Sequence, residues 1–286
     1  MNFKIASTPL EFVFCEIKSI VLKRKFLKQY KDSSNHKKIV DYVKKRIKLP
    51  LFPYNFVDQY KTSSIKIYRD SNLFYTFIDD KKMYLKDTFK TKYHAKRYIK
   101  NILLEQYSKS PHQYCDSNFK VNNGDIILDV GSAEGYFTLK NIEKIKHAYL
   151  FECDPKWIKA LQKTFENYKD KITIICSKIS DIDSDEFQTI DTICNDYKIE
   201  KVDFVKMDIE GYEEKALIGM KNVIKNNNIR MAICSYHTVG QEKRIREILS
   251  KNFKIVTNHQ YMIYYYDYDI SKQFLRHGVL RCNKKA

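Results

Sequence analysis

From Asn122 onward the chain alternates short apolar runs with stretches of helical spacing, and that rhythm narrows the possible folds more than any other feature. Strands are expected at Ile126–Val130, Ala148–Glu152, Ile172–Cys176, Val202–Met207, Arg230–Ser235, Phe253–Thr257 and Tyr261–Tyr266. Helices are expected between them at Glu134–Ile145, Pro155–Tyr168, Tyr212–Lys225 and Gln241–Ser250. Alternation of this kind predicts an α/β fold, a mainly parallel sheet with helices on both faces. Ligands in such sheets bind beyond the carboxyl ends of the strands, near the point where strand order reverses. The rule isolates Asp129, Gly131, Ser132, Glu134 and Gly135 after the first strand, and Glu152, Cys153 and Asp154 after the second. Asp208, Glu210 and Gly211 follow the fourth strand, and Tyr236 and His237 the fifth.

The turn after the first strand lies in LDVGSAEGYF, Leu128 to Phe137, where an apolar run ends in an acid and breaks into glycines that open a helix. The chain has only 7 glycines, so two placed four residues apart imply backbone running close to a ligand. Glu152 follows Asp129 at about the 20-residue offset at which an acid grips ribose hydroxyls, which implies a nucleoside-containing cofactor. A pyrophosphate on this turn would meet Asp129 and Glu134; at about 6 Å and an effective dielectric near 20, each like-charge pair costs about 3 kcal/mol. A sulfonium or ammonium group gains by the same amount. S-adenosylmethionine is a nucleoside with such a tail and no phosphate, and the chain has no G-x-x-x-x-G-K-[ST] phosphate loop.

With these residues in place, the chain resembles the FkbM family of class I S-adenosylmethionine-dependent methyltransferases. LDVGSAEGYF resembles the first motif, YLFECDP (Tyr149 to Pro155) the second, VDFVKMDIEGYE (Val202 to Glu213) the most characteristic segment, and ICSYHT (Ile233 to Thr238) the one after it. The resemblance covers about Glu105 to Arg281. It implies a Rossmann-like sheet of seven strands with the last antiparallel, and O-methyl transfer, commonly to sugars, polysaccharides or polyketides. It assigns the cofactor to Asp129, Gly131, Glu134, Gly135 and Glu152, with Asp208 near the methionine end and Asp181 near the adenine. Ser132-Ala133-Glu134 and Cys153 depart from the common family pattern, which points to a subgroup.

Methyl transfer to an alcohol asks the protein to position the acceptor oxygen and remove its proton. His237 is the first candidate base, because an unperturbed imidazole titrates near pH 6.5. Asp208 and Glu210 are alternatives as base or substrate clamp, with Lys206 holding either in place. Glu213 and Glu214 read as first-turn acids of a helix. A divalent ion on Asp208, Glu210 and His237 is a further alternative, but their spacing carries no metal signature and none is expected. His112, Tyr114, Tyr236, Arg276 and Arg281 are candidate acceptor contacts, the arginines suiting an anionic sugar.

The first 120 residues carry 26 of the 52 Lys and Arg but only 11 of the 35 Asp and Glu, and no glycine precedes Gly124. Two regions follow from this: a basic α+β region over 1–110 and a methyltransferase domain over 111–286. In the first, helical spacing over Leu10–Tyr30 and His36–Lys48 precedes short strands at Ser64–Arg69, Leu73–Ile78 and Lys82–Lys86 and a helix at Tyr93–Tyr107. The basic helices suit either plain core packing or peripheral contact with an anionic membrane. The 7 scattered cysteines form no C-x-x-C pair, and no apolar run approaches the roughly 20 residues of a membrane span. A cytoplasmic protein with reduced thiols and no leader segment is expected. The expected acceptor is a sugar or surface-polysaccharide precursor. The rival is ribose 2'-O-methylation of RNA, suggested by the basic region and 22 tyrosines. Amino- and cytosine-directed enzymes of this fold place a proline after the fourth strand, and none exists here beyond Pro155. A non-catalytic cofactor-binding scaffold is the third reading.

Overall fold

The computed structural model describes residues 9–266 and 273–285. The leader-segment expectation concerns residues largely outside that range.

Two helices come first, α1 (Pro9–Tyr30) and α2 (Lys37–Lys44). A meander of β1 (Tyr68–Asp70), β2 (Leu73–Ile78) and β3 (Lys81–Tyr84) follows, and then α3 (Lys92–Glu105), capped by the Thr91 hydroxyl. The alternating part runs β4 (Ile126–Val130), α4 (Tyr136–Asn141), β5 (His147–Phe151), α5 (Pro155–Thr164) and β6 (Ile172–Ile175). It continues through β7 (Lys178–Ile179), β8 (Phe187–Gln188), α6 (Ile190–Asp196), β9 (Phe204–Met207), α7 (Glu213–Ile218), α8 (Lys221–Asn226), β10 (Arg230–Cys234), α9 (Gln241–Leu249) and β11 (Phe253–Thr257). The short ribbon β12 (Met262–Ile263) with β13 (Leu275–Arg276) precedes β14 (Val279–Lys284).

Among the described residues one sheet has seven strands in the order β11-β14-β10-β9-β4-β5-β6. All run parallel except β14, which lies antiparallel between β10 and β11. This is the expected class I methyltransferase sheet, but the antiparallel strand is not Tyr261–Tyr266. That aromatic segment supplies only β12; the strand comes from VLRCNK, where Leu280 and Cys282 are fully buried. Strand order reverses between β4 and β9, so the cleft opens at their carboxyl ends.

Three further elements differ from the sequence reading. The helix after β4 is short, because Gly135 takes a left-handed turn before Tyr136. The expected Tyr212–Lys225 helix is two helices broken at Gly219, where a Cβ would sit 2.2 Å from the Ser180 carbonyl oxygen. The stretch between residues 177 and 201, where the sequence suggests no regular element, contains α6, whose first turn Thr189 caps.

One apolar cluster joins the α3–α5 face of the sheet to the meander, running unbroken from Phe52 and Met83 through Ile99 to Phe204 and Ala232. It crosses residue 110, where the composition changes. A second packs α6–α9 against the other face, and a third joins Leu22, Phe26 and Val43 to Ile263, Phe274 and Leu275. Met262 and Tyr264 belong to the first cluster, Ile263 and Tyr265 to the third, so this strand-like segment faces the seven-stranded sheet with one side and the amino-terminal helices with the other.

Candidate active site

Parallel pairing of β4 with β9 puts Asp129 opposite Lys206. Their side chains meet in the core at 3.1 Å, and the Thr138 hydroxyl donates to the second Asp129 oxygen at 2.7 Å. Lys206 also donates to the Gly131 carbonyl and lies over the Tyr114 ring. Burial alone would favour neutral Lys206, but Asp129 and Asp208 overcome it and hold the ammonium well above its usual range. Asp129 thus anchors a buried cation and offers no face to solvent.

The glycine turn is fastened to β5. Gly131 N, Ser132 N and Ser132 Oγ all donate to the Phe151 carbonyl, at 2.9, 3.0 and 3.1 Å. Glu152 accepts from Ala133 N at 2.9 Å and from Asp154 N at 2.8 Å, and burial pushes its carboxyl up. Glu134 is buried as well, and accepts a hydrogen bond from the Tyr98 hydroxyl on α3. Burial raises Glu134 too, and raises Glu105 at the end of α3 well above the carboxylate range. Asp208, Glu134 and Glu210 add to the Glu105 shift by repulsion.

After β9 the chain turns sharply, with Glu210 and Gly211 in left-handed conformations at φ +58° and +102°. The turn closes around the Glu213 carboxylate, which accepts from Ile209 N at 2.9 Å and Gly211 N at 3.0 Å. Gln241 donates to it from α9 and accepts from His237 N at 2.8 Å. His237 Nδ1 lies 2.9 Å from Glu213; Nε2 lies 3.3 Å from Asp208 and 3.7 Å from Glu210. Burial would keep this imidazole neutral, but Glu213 and Asp208 outweigh it and hold the ring protonated well above the usual histidine range. An imidazolium has no lone pair to offer, so in this setting His237 acts as a fixed positive charge and not as the base expected from its ordinary pKa. For Asp208, burial pushes upward but His237, Lys206 and His112 more than reverse it, leaving a firmly ionised, weakly basic carboxylate. Glu210 is 33% exposed, and burial pushes its carboxyl up to about 8.

Tyr114 donates to Asp208 at 2.7 Å. His112 lies beside Asp208 at 3.9 Å and shares a 2.9 Å hydrogen bond with the Tyr236 hydroxyl. Burial lowers His112 to about 4, so it is neutral. Two groups bring metal-type ligand atoms within 4.8 Å: His112, Asp208 and Cys234, and Asp208, Glu213 and His237. In the second group the atoms already pair with one another as carboxylate and imidazolium.

A family profile described as the methyltransferase FkbM domain matches residues 87–263. The chain belongs to the FkbM methyltransferase family. A search of curated proteins gives no match. Solved structures give many. One is the FkbM methyltransferase of Methylobacillus flagellatus KT, 19% identical with a TM-score of 0.46, covering 67% of this chain and 53% of that one. The chain therefore spans about half the length of that relative. An rRNA methylase from Streptococcus thermophilus is 10% identical, TM-score 0.39, covering 58% and 90% of the two chains. M. capricolum TrmK, in complex with S-adenosyl-homocysteine, is 20% identical, TM-score 0.37, covering 58% and 64%.

In this FkbM methyltransferase domain the strand-end residues converge, while others selected from the sequence serve elsewhere. Arg281 pairs with Asp116 and donates to the Gln113 carbonyl at 2.8 Å, tying a loop to β14. Arg276 donates to the Tyr236 carbonyl and lies over Tyr264, bracing the segment after β10. Asp154 caps α5 and pairs with Lys86 at 2.9 Å, while Cys153 is exposed. Asp181 accepts from Ser180 Oγ at 2.9 Å and stands 4.0 Å from Lys215. Sequence reasoning missed Glu105, Tyr98 and Gln241 and underrated Glu213. Glu105 and Tyr98 belong to a helix outside the strand-end rule; the acid four residues after Ile209 was the one available signal for Glu213.

Proposed function

We propose that the chain is an S-adenosylmethionine-dependent O-methyltransferase of the cytoplasm, acting on a hydroxyl of a sugar or surface-polysaccharide precursor. The observation that carries the cofactor reading is a cluster of four carboxyl groups beyond the strand ends that outnumber the cations beside them. Glu105, Glu134, Asp208 and Glu210 share one another's field, with Lys206 and His237 as the cations set against them. Such a donor set favours a cationic, phosphate-free group, and Glu152 at the end of β5 suits the ribose. S-adenosylmethionine, when bound, would supply the methyl group from a positively charged sulfur. Titration calorimetry should show binding that Glu152→Ala weakens at least tenfold; unchanged affinity would remove the cofactor assignment.

Transfer to oxygen requires a base at the acceptor. With His237 protonated and Asp208 weakly basic, Glu210 takes that role. It is the accessible carboxyl of the cluster, and a raised pKa gives its ionised form real basicity. The cation His237 and the turn closed by Glu213 hold it in position. In the free enzyme kcat/KM should rise with pH and level off above about 8, as Glu210 loses its proton. A neighbouring cation favours the ionised form, so the kcat limb should lie at lower pH than the kcat/KM limb. Glu210→Gln should remove both limbs; a variant retaining the wild-type profile would exclude Glu210. For the acceptor, mass spectrometry of surface glycans with and without the protein should show one sugar losing a CH2 increment, whereas methyl loss confined to RNA would overturn the reading.

A further inference from the structure

We propose that the outward face of α1 docks the protein on an anionic lipid bilayer. The inner face of the helix is settled: Ser19, Leu22 and Phe26 are buried, with Leu22 and Phe26 packed in the cluster that holds Leu49, Ile263 and Phe274. On the opposite side Ile17, Ile20 and Val21 are 57%, 42% and 53% exposed, followed by exposed Arg24, Lys25 and Lys28. At 3.6 residues per turn, positions 17, 20, 21, 24 and 28 fall within a sector of roughly 100°. The outward face is therefore branched aliphatic over one stretch and cationic over the next.

A second cationic segment with an exposed isoleucine is tied to the same helix. Leu49 N donates to the Ser19 carbonyl at 3.2 Å, and Lys23 Nζ donates to the carbonyls of Lys44 and Arg46. These bonds hold the segment Lys44–Lys48 against α1, and that segment carries Ile47, 85% exposed among exposed Lys44, Lys45 and Lys48. Residues 17–48 contain twelve Lys and Arg against Asp32 and Asp41 alone.

The chemistry of the face selects the partner. Exposed isoleucine and valine gain by entering the boundary between headgroups and acyl chains, and surrounding lysines gain from an anionic leaflet. A nucleic acid would use the cations but offers nothing to the aliphatic side chains, and among residues 17–28 the one aromatic ring, Phe26, is buried on the inner face and open to no base. A second copy related by a twofold axis would bring this face against itself, with no acid among residues 17–31 to meet its cations. No helix among the described residues is long and apolar enough to cross a membrane, so the helix lies in the interface. Because Ile263 and Tyr265 pack beneath α1 and α2 while the intervening Tyr264 meets the rings of Tyr236 and His237 edge-on, the docking face and the proposed acceptor edge belong to one packed unit.

Cosedimentation of the full chain with vesicles tests this. Vesicles containing phosphatidylglycerol should bind at least tenfold better than pure phosphatidylcholine at low salt, and added salt should weaken them. The triple variant Ile17→Ser, Ile20→Ser, Val21→Ser should lose at least tenfold in binding to the anionic vesicles, with its melting temperature and S-adenosylmethionine affinity retained. Neutralising Arg24, Lys25 and Lys28 as glutamines should cost roughly fivefold per cation. Equal binding to neutral and anionic vesicles, or wild-type binding by the serine variant, would overturn the proposal. So would binding confined to RNA, or self-association that the serine variant abolishes in place of vesicle binding.

Discussion

Glu213→Ala should unfold more readily than any other single site variant discussed here, with a loss of about 3–5 kcal/mol and a Tm lowered by roughly 10 °C. Three donors, Ile209 N, Gly211 N and Gln241 Nε2, would lose their acceptor in the core, and His237 would lose the carboxylate at Nδ1. Glu213→Gln should cost less, since one amide oxygen still accepts from the turn. In both variants the His237 pKa should fall, and ring resonances in a proton NMR titration should report it. The sign also fixes a pH window. A histidine raised on folding contributes stability that is complete below its unfolded pKa near 6.5 and is lost as pH rises through the folded value. The wild-type protein should therefore lose this contribution only at alkaline pH. A Glu213→Ala protein as stable as wild type at pH 7 would show that the turn is held by something else.

Gly131→Ala should be the second most damaging change, and for a reason unrelated to direct ligand contact. A Cβ there would stand 1.9 Å from the Asp208 carbonyl oxygen and 2.9 Å from its carbon, at φ +78°. Backbone cannot rotate aside as a side chain does, so the ends of β4 and β9 must part, taking with them the Lys206 bond to the Gly131 carbonyl. A loss of about 3 kcal/mol is expected, along with S-adenosylmethionine affinity, because the displaced turn also carries Glu134. Gly135→Ala supplies the contrast. Its new Cβ meets side-chain atoms of Phe165 and Leu161 at 2.7 and 2.8 Å, which can shift in part. Melting and calorimetry on the two variants should rank Gly131→Ala as clearly worse, and the reverse order would refute the strand-contact explanation.

The strand ends were legible because two signals coincide there: apolar runs that stop abruptly, and acids or glycines that follow. Asp129, Gly131, Glu134, Glu152, Asp208, Glu210 and His237 were all found this way, and the sheet brings most of them to one end. Their roles were less legible. Gly131 reads as space for a ligand, yet the nearest atom to its missing side chain belongs to the neighbouring strand. Asp129 reads as an acid of the cofactor turn, and parallel register pairs it with Lys206 inside the core. His237 reads as a neutral base, because its protonation depends on Glu213, whose position next to a helix suggested a weaker purpose. Glu105 and Tyr98 gave no signal at all, since only long-range packing carries α3 over the cleft. Tyr261–Tyr266 drew the seventh strand to itself through aromatic β-propensity, whereas VLRCNK carries Arg, Asn and Lys and yet buries its first four residues.

The position of β14 has a consequence for assembly. It fills the gap between β10 and β11, and β11 has no other partner in the sheet. A ribosome must therefore deliver β14 before β11 can join the sheet, and until then the β10 edge stands open. Pairing of such separated segments is slow, and an uncovered edge is a template for association with other chains. Nascent chains stalled between Thr257 and Val279 should for that reason engage chaperones, and the methyltransferase cannot complete its sheet until β14 has been made.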